Sequence, residues 1–230
     1  MKRIGLLGGM SWESSAEYYR LVNEIVRERL GGLSSADCLM RSIDFAPMEE
    51  LQREGRWDVA GDRLAAEAQG LVRAGAELIV LCTNTMHKLA GAIAAAVDVP
   101  FVHIADTTAG AVRAAGLERV GLLATGYTME QDFYVGRLRD RHGLDVLVPG
   151  ARDRALVHSV IYDELCVGVV RDASREQYRR VMASLVDRGA QGILLGCTEI
   201  DLLVGAGDAS VPVFDTTRLH AERAVELALS

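Results

Sequence analysis

The chain has 230 residues, half of them hydrophobic and a quarter charged, with a formal net charge of −7. That composition fits a water-soluble globular protein with room for one large domain or two smaller ones. No Lys/Arg-rich run offers a nucleic-acid footprint. The opening MKRIGLLGG is too short an apolar run, and lacks the cleavage pattern, for a signal peptide or membrane span, and reads as a first strand; the four scattered cysteines fit a cytoplasmic protein with reduced thiols.

In chain order, short apolar runs alternate with longer amphipathic stretches. Strands are predicted at 4–7, 77–82, 101–104, 119–124, 193–196 and 213–214, and helices at 13–30, 57–73, 88–96, 129–141, 151–166 and 174–188. The first helix has Ser11 as its start signal and Gly31-Gly32 as its stop. Near-continuous apolar strands separated by helices predict parallel sheets covered on both faces.

An internal repeat runs through this pattern. Arg3-Ile4-Gly5-Leu6-Leu7 returns as Arg119-Val120-Gly121-Leu122-Leu123, and the segment ending Leu81-Cys82-Thr83 returns as the one ending Leu195-Gly196-Cys197. Val99-Pro100 and Asp106-Thr107-Thr108 match Val211-Pro212 and Asp215-Thr216-Thr217. The order is kept while the offset slowly shrinks, which favours duplication over chance. The expected fold class is therefore α/β, two duplicated three-layer halves with mainly parallel sheets: 1–110 with 212–230, and 111–211. Two such halves most simply face each other about a pseudo-two-fold axis, and ligands of open parallel sheets lie beyond the carboxyl ends of the strands. A near-symmetric site in the cleft is expected, with Thr83 and Cys197 at equivalent strand ends.

The strand ends carry the chemistry. Thr83-Asn84-Thr85 and Cys197-Thr198-Glu199 each open a predicted helix, whose N-terminus would hold a carboxylate and lower a thiol pKa, making Cys197 substantially thiolate near neutral pH. Cys38, Cys82 and Cys166 read as core residues, and no Cys-x-x-Cys or Cys/His spacing implies zinc or a disulfide framework. The first strand runs into GLLGGMSW, not the Gly-x-Gly-x-x-Gly of a dinucleotide site, so its glycines are expected to let backbone approach a small ligand. The only lysines, Lys2 and Lys88, lack a phosphate cradle for pyridoxal phosphate. His87, one helical turn beyond Thr83, is a candidate for orienting a substrate group or tuning a catalytic one; His142, His158 and His220 read as surface or satisfied core groups, and His103 as lacking a duplicate.

With Gly8-Gly9-Met10, Thr83-Asn84-Thr85-Met86-His87, Gly196-Cys197-Thr198-Glu199 and Asp215-Thr216-Thr217 in place, the whole chain resembles the aspartate/glutamate racemase family. The resemblance implies cofactor-independent racemisation of an amino acid by two strand-end cysteines, one removing the α-proton and the other delivering one to the opposite face, in a homodimer. Transferred to this sequence, Cys197 and Thr83 are the catalytic positions. Asn84, Thr85 and Thr198 would bind the α-carboxylate, with Met10, Ser11, Thr125, Thr128 and Glu199 also lining the substrate site. Two departures stand out. Thr83 replaces the first cysteine, and its hydroxyl is a far poorer base than a thiolate. The lysine expected after an Ile-Tyr-rich helical segment is missing, since Ile161-Tyr162-Asp163-Glu164-Leu165 runs into Cys166; Gln52 could bind a polar side chain instead, widening the substrate range. Racemisation, isomerisation or decarboxylation of another small acid, and catalytically silent binding of an amino acid, stay open as alternatives.

Overall fold

The computed structural model describes residues 1–230, which divide into two units: Met1–His103 with His220–Ser230, and Ile104–Leu219. The first unit contains β1 (Ile4–Gly8), α1 (Trp12–Leu30), β2 (Cys38–Ser42), α2 (Ala46–Arg53), α3 (Trp57–Arg73), β3 (Leu78–Leu81), a 3₁₀ turn (Thr85–Leu89), α4 (Ala90–Ala96) and β4 (Phe101–Val102). Its four strands are all parallel, in the order β2-β1-β3-β4. Successive side chains of a strand point to opposite faces. Ile4, Leu6, Leu78, Val80 and Cys82 accordingly pack with Tyr18, Val22 and Ile25 of α1, whereas Leu7, Ile79 and Leu81 pack with Ala60, Leu64 and Ala68 of α3. Ser11 caps α1 by accepting the Ser14 N–H, and Gly31, at φ 74°, closes it.

The second unit contains α5 (Ile104–Ala114), β5 (Arg119–Ala124), α6 (Gly126–Glu130), α7 (Val135–His142), β6 (Asp145–Leu147), α8 (Ala151–Asp163), a 3₁₀ turn (Leu165–Val167), α9 (Asp172–Asp187), β7 (Ile193–Gly196), two further 3₁₀ turns (Ile200–Leu202 and Ala206–Asp208) and β8 (Val213–Asp215). A last helix, α10 (Thr216–Leu229), counts with the first unit from His220 onward. The order β6-β5-β7-β8, again all parallel, repeats that of the first sheet. Details repeat too: Arg3 pairs with Asp37 at 2.9 Å between β1 and the start of β2, and Arg119 with Asp145 at 2.6 Å between β5 and β6. No helix is long and apolar enough to cross a membrane.

The structure departs from the sequence reading in several places. The edge strands β2 and β6 were not predicted, because half-exposed CLMRS and DVL lack the apolar run of a central strand. The helices α2, α5 and α10 were also missed, and the predicted helix 129–141 is broken into α6 and α7 where Gln131 turns extended. The units divide at 103/104 and 219/220, not at 110/111 and 211/212. The reason is that α5 puts Ile104, Ala105, Ala109 and Val112 into the second unit's core, and β8 hydrogen-bonds in the second sheet. Register corrects the last repeat pair as well. Ile79 lies opposite Phe101 and Ile193 opposite Val213, so Asp215 is the counterpart of His103 and not of Asp106. His103 does have a duplicate.

Gly9 shows how tightly the β1 end is built. Its φ is +93°, and a Cβ there would lie 2.1 Å from the Ile43 carbonyl oxygen. Gly55 has a similar φ of +72° but open space around it. Gly9→Ala combines backbone strain with a backbone clash and is expected to cost about 3 kcal/mol or more, against about 1 kcal/mol for Gly55→Ala. Urea denaturation of the two variants checks this; equal midpoints would show that the clash relaxes freely.

Candidate active site at the strand ends

At the carboxyl end of the first sheet, three serines tie the β1–α1 loop to β3. The Gly9 N–H donates to Ser15 Oγ at 2.6 Å, Ser15 Oγ donates to the Ser11 carbonyl at 2.9 Å, and Ser14 Oγ donates to the Cys82 carbonyl at 2.8 Å. The glycines here make room for protein, namely Ser15 against Gly8 and the Ile43 backbone against Gly9. Met10 is buried in the α3-side core and Gln52 is buried on α2.

Thr83, Asn84 and Thr85 follow β3 and are all buried. They enter a 3₁₀ turn and not an α-helix, so the expected helix dipole is missing at this end. His87 donates from Nδ1 to the Thr83 carbonyl at 2.7 Å. Its ring centroid lies 4.8 Å from that of His103 and 5.6 Å from that of His220. His220 donates from Nε2 to the Val102 carbonyl and accepts the Tyr18 hydroxyl at Nδ1, both at 2.8 Å. Burial, followed by the neighbouring imidazoles, pushes His87 well below the usual histidine range. Burial likewise takes His220 to about 4. Lys88 lies over the Trp57 ring at 3.9 Å.

In the second unit, Thr125 caps α6 by accepting the Thr128 N–H at 3.4 Å, with the two hydroxyls 3.2 Å apart. Gly126 donates its N–H to His158 Nδ1. Cys197 follows β7, and its Sγ donates to Glu199 Oε2 at 3.0 Å. Glu199 is only 4 % exposed, and Thr198 beside it is buried. Cys166, which the sequence placed in the core, is half-buried and donates to Glu199 Oε1 at 3.9 Å. The sequence marked it only as the residue that follows the Ile-Tyr-rich segment where a lysine was expected; its contact with Glu199, 33 residues away, was not legible. Asp215 caps α10, accepting the Thr217 and Arg218 N–H groups.

The expectation of a thiolate at Cys197 is overturned. Desolvation raises its pKa well above the usual thiol value, the Glu199 and Cys166 charges add to that, and only the Glu199 backbone N–H pulls the other way. The residue keeps some exposure, yet protein encloses the sulfur enough for desolvation to dominate. The chain enters a 3₁₀ turn at Ile200–Leu202 after β7, so this strand end also lacks the helix dipole that was to lower the pKa.

A model of the Asp/Glu/Hydantoin racemase family matches residues 7–224. The chain belongs to this family. Among solved structures, it is similar to a Yersinia pestis protein described as a candidate Asp/Glu racemase, with 53 % identity and a TM-score of 0.94 over 100 % of both chains. An aspartate racemase homologue from Pyrococcus horikoshii is 35 % identical, with a TM-score of 0.87 and full coverage of both chains. The aspartate racemase of Picrophilus torridus shares the fold at 20 % identity, with a TM-score of 0.80 over 99 % of this chain and 94 % of that one. For this racemase-family chain, the strand ends of both sheets are the candidate active-site segments.

The buried histidines make stability depend on pH with a definite sign. Below pH ~6.5 the unfolded chain binds a proton at His220 that the folded chain refuses down to about 4. Stability therefore falls as pH drops through this window, by about 1.4 kcal/mol per pH unit for each such histidine. His220→Gln is expected to lower stability at pH 7 but to flatten the loss between about pH 6.5 and 4.5. Denaturant titrations at a series of pH values measure this, and parallel curves for the two proteins would refute it.

Proposed function

We propose that the chain racemises a free amino acid without a cofactor, using Cys197 to remove the α-proton. The observation that carries this reading is the Cys197 thiol donating to the buried Glu199 carboxylate. A thiol becomes a base only by losing its proton, and the acceptor is already in contact with it. In the proposed sequence the thiol proton passes to Glu199, the thiolate takes the α-proton of the substrate, and the carbanion is reprotonated on its other face. The side chains that act on the Cys197 charge, Glu199 and Cys166, both oppose the thiolate. A substrate carrying an α-ammonium group brings the missing positive charge, which favours an amino acid over an uncharged hydantoin.

Thr83 stands at the equivalent strand end. Its hydroxyl can pass a proton on but is a poor base, so the two directions run at unequal rates. Asn84 and Thr85 in one turn, and Thr198 in the other, offer buried polar groups to a carboxylate. Thr125, Thr128, Met10, Ser11 and Gln52 complete the proposed substrate contacts. If no amino acid exchanges its α-proton, the remaining readings are turnover of another small acid and a binding protein without turnover.

The deciding measurement is proton NMR in D₂O, with no added cofactor and a panel of L- and D-amino acids. Loss of the α-proton signal is expected for the substrate and not in Cys197→Ala; exchange that survives in the variant would sink the proposal. Thr83→Cys is expected to change the ratio of the two directions. Because burial and Glu199 raise the Cys197 pKa, kcat/KM should climb with pH, and Glu199→Gln should move that climb to lower pH while reducing kcat. A climb that stays in place would separate Glu199 from the thiol.

A further inference from the structure

Two thiols, not one, bind the Glu199 carboxylate: Cys197 on Oε2 and Cys166 on Oε1. Cys166 belongs to the Leu165–Val167 turn that follows α8, and this turn is firmly anchored. Leu165 is fully buried, and the Gly168 N–H donates to the Leu165 carbonyl at 3.0 Å. The Glu164 carboxylate accepts from Ser174 Oγ at 2.6 Å and from Arg171 at 3.2 Å. Cys166 is thus held against Glu199 by contacts that do not involve Cys197.

A glutamate carboxylate turns easily about its last bond, whose torsional preference is broad. A donor on one oxygen limits that rotation and presents the other oxygen to its partner. We propose that Cys166 is a positioning residue for Cys197: by donating to Oε1 of Glu199 it fixes Oε2 as the acceptor of the Cys197 thiol proton. The proposal deepens the racemase reading and rests on the role given there to Cys197. The other titratable group that faces the thiol is Tyr178 of α9, whose hydroxyl proton is committed to the Val157 carbonyl at 2.9 Å; Glu164 acts in turn on Tyr178.

The test is the pH dependence of Cys197 alkylation by iodoacetamide, followed peptide by peptide with mass spectrometry. Wild type, Cys166→Ser and Cys166→Ala are compared, with circular dichroism to confirm folding. Cys166→Ser keeps a donor and should hold the wild-type midpoint. Cys166→Ala frees the Glu199 carboxylate to turn away from the thiol and should lower the midpoint by about half a pH unit, an alkylation rate about three-fold higher at any pH on the rising limb. An unchanged or raised midpoint in Cys166→Ala, or an equal fall in Cys166→Ser, would overturn the proposal and leave Cys166 as packing alone. Alkylation needs no turnover, so failure of the racemase reading in the exchange experiment and failure of this inference are read separately.

Discussion

Keeping the Glu199 carboxylate out of water constrains everything at the carboxyl end of the second sheet. Burying an ionised carboxylate costs several kcal/mol unless donors replace the lost water. The sulfhydryls of Cys197 and Cys166, both weak donors, each reach one oxygen of Glu199. A weak donor in contact with a buried acceptor leaves the thiol proton easy to share. The same contact that settles the carboxylate keeps the thiol protonated, and it supplies the group to which that proton can move.

The equivalent end of the first sheet solves a different problem. It has no thiol and no carboxylate at the matching positions, where Thr83, Asn84 and Thr85 stand opposite Cys197, Thr198 and Glu199 in the repeat. Its turn is held by neutral hydrogen bonds, from Ser14 to Cys82 and from His87 to Thr83, and by imidazoles that burial keeps uncharged. The duplicated halves diverge again one strand over, where His103 corresponds to Asp215. The strand interiors are conserved between the halves because both must fill a sheet covered on two faces. The strand ends are free of that demand, and they carry the differences.

Much of the fold was legible because burial on both faces writes long apolar runs into a sequence. The central strands β5 and β7 and the helix α3 match their predicted spans. The edge strands β2 and β6 were not legible, since half-exposed positions break the run that marks a strand, whereas the other two edges, β4 and β8, fell on predicted strands. The short helix α2 was missed, and α5 and α10 were hidden in stretches dominated by strand-like and polar signals. The strand-end positions of Thr83 and Cys197 were visible from the repeat, and the polar residues after them were visible as turns. Neither the contact of Cys166 with Glu199 nor the gathering of His87, His103 and His220 was written in any local pattern.

The sequence by itself determined the alternation of strands and helices, the duplication, and the placing of Cys197 at a strand end, because each of these is written in local periodicity or in repeated segments. Only the tertiary structure decided that α5 joins the second unit, that Asp215 answers to His103, and that Cys166 meets Glu199. It also decided the surroundings that oppose a thiolate at Cys197. A thiol pKa is set by desolvation and by neighbours brought in from other elements, and one of those neighbours, Cys166, lies well outside the segment that holds the cysteine.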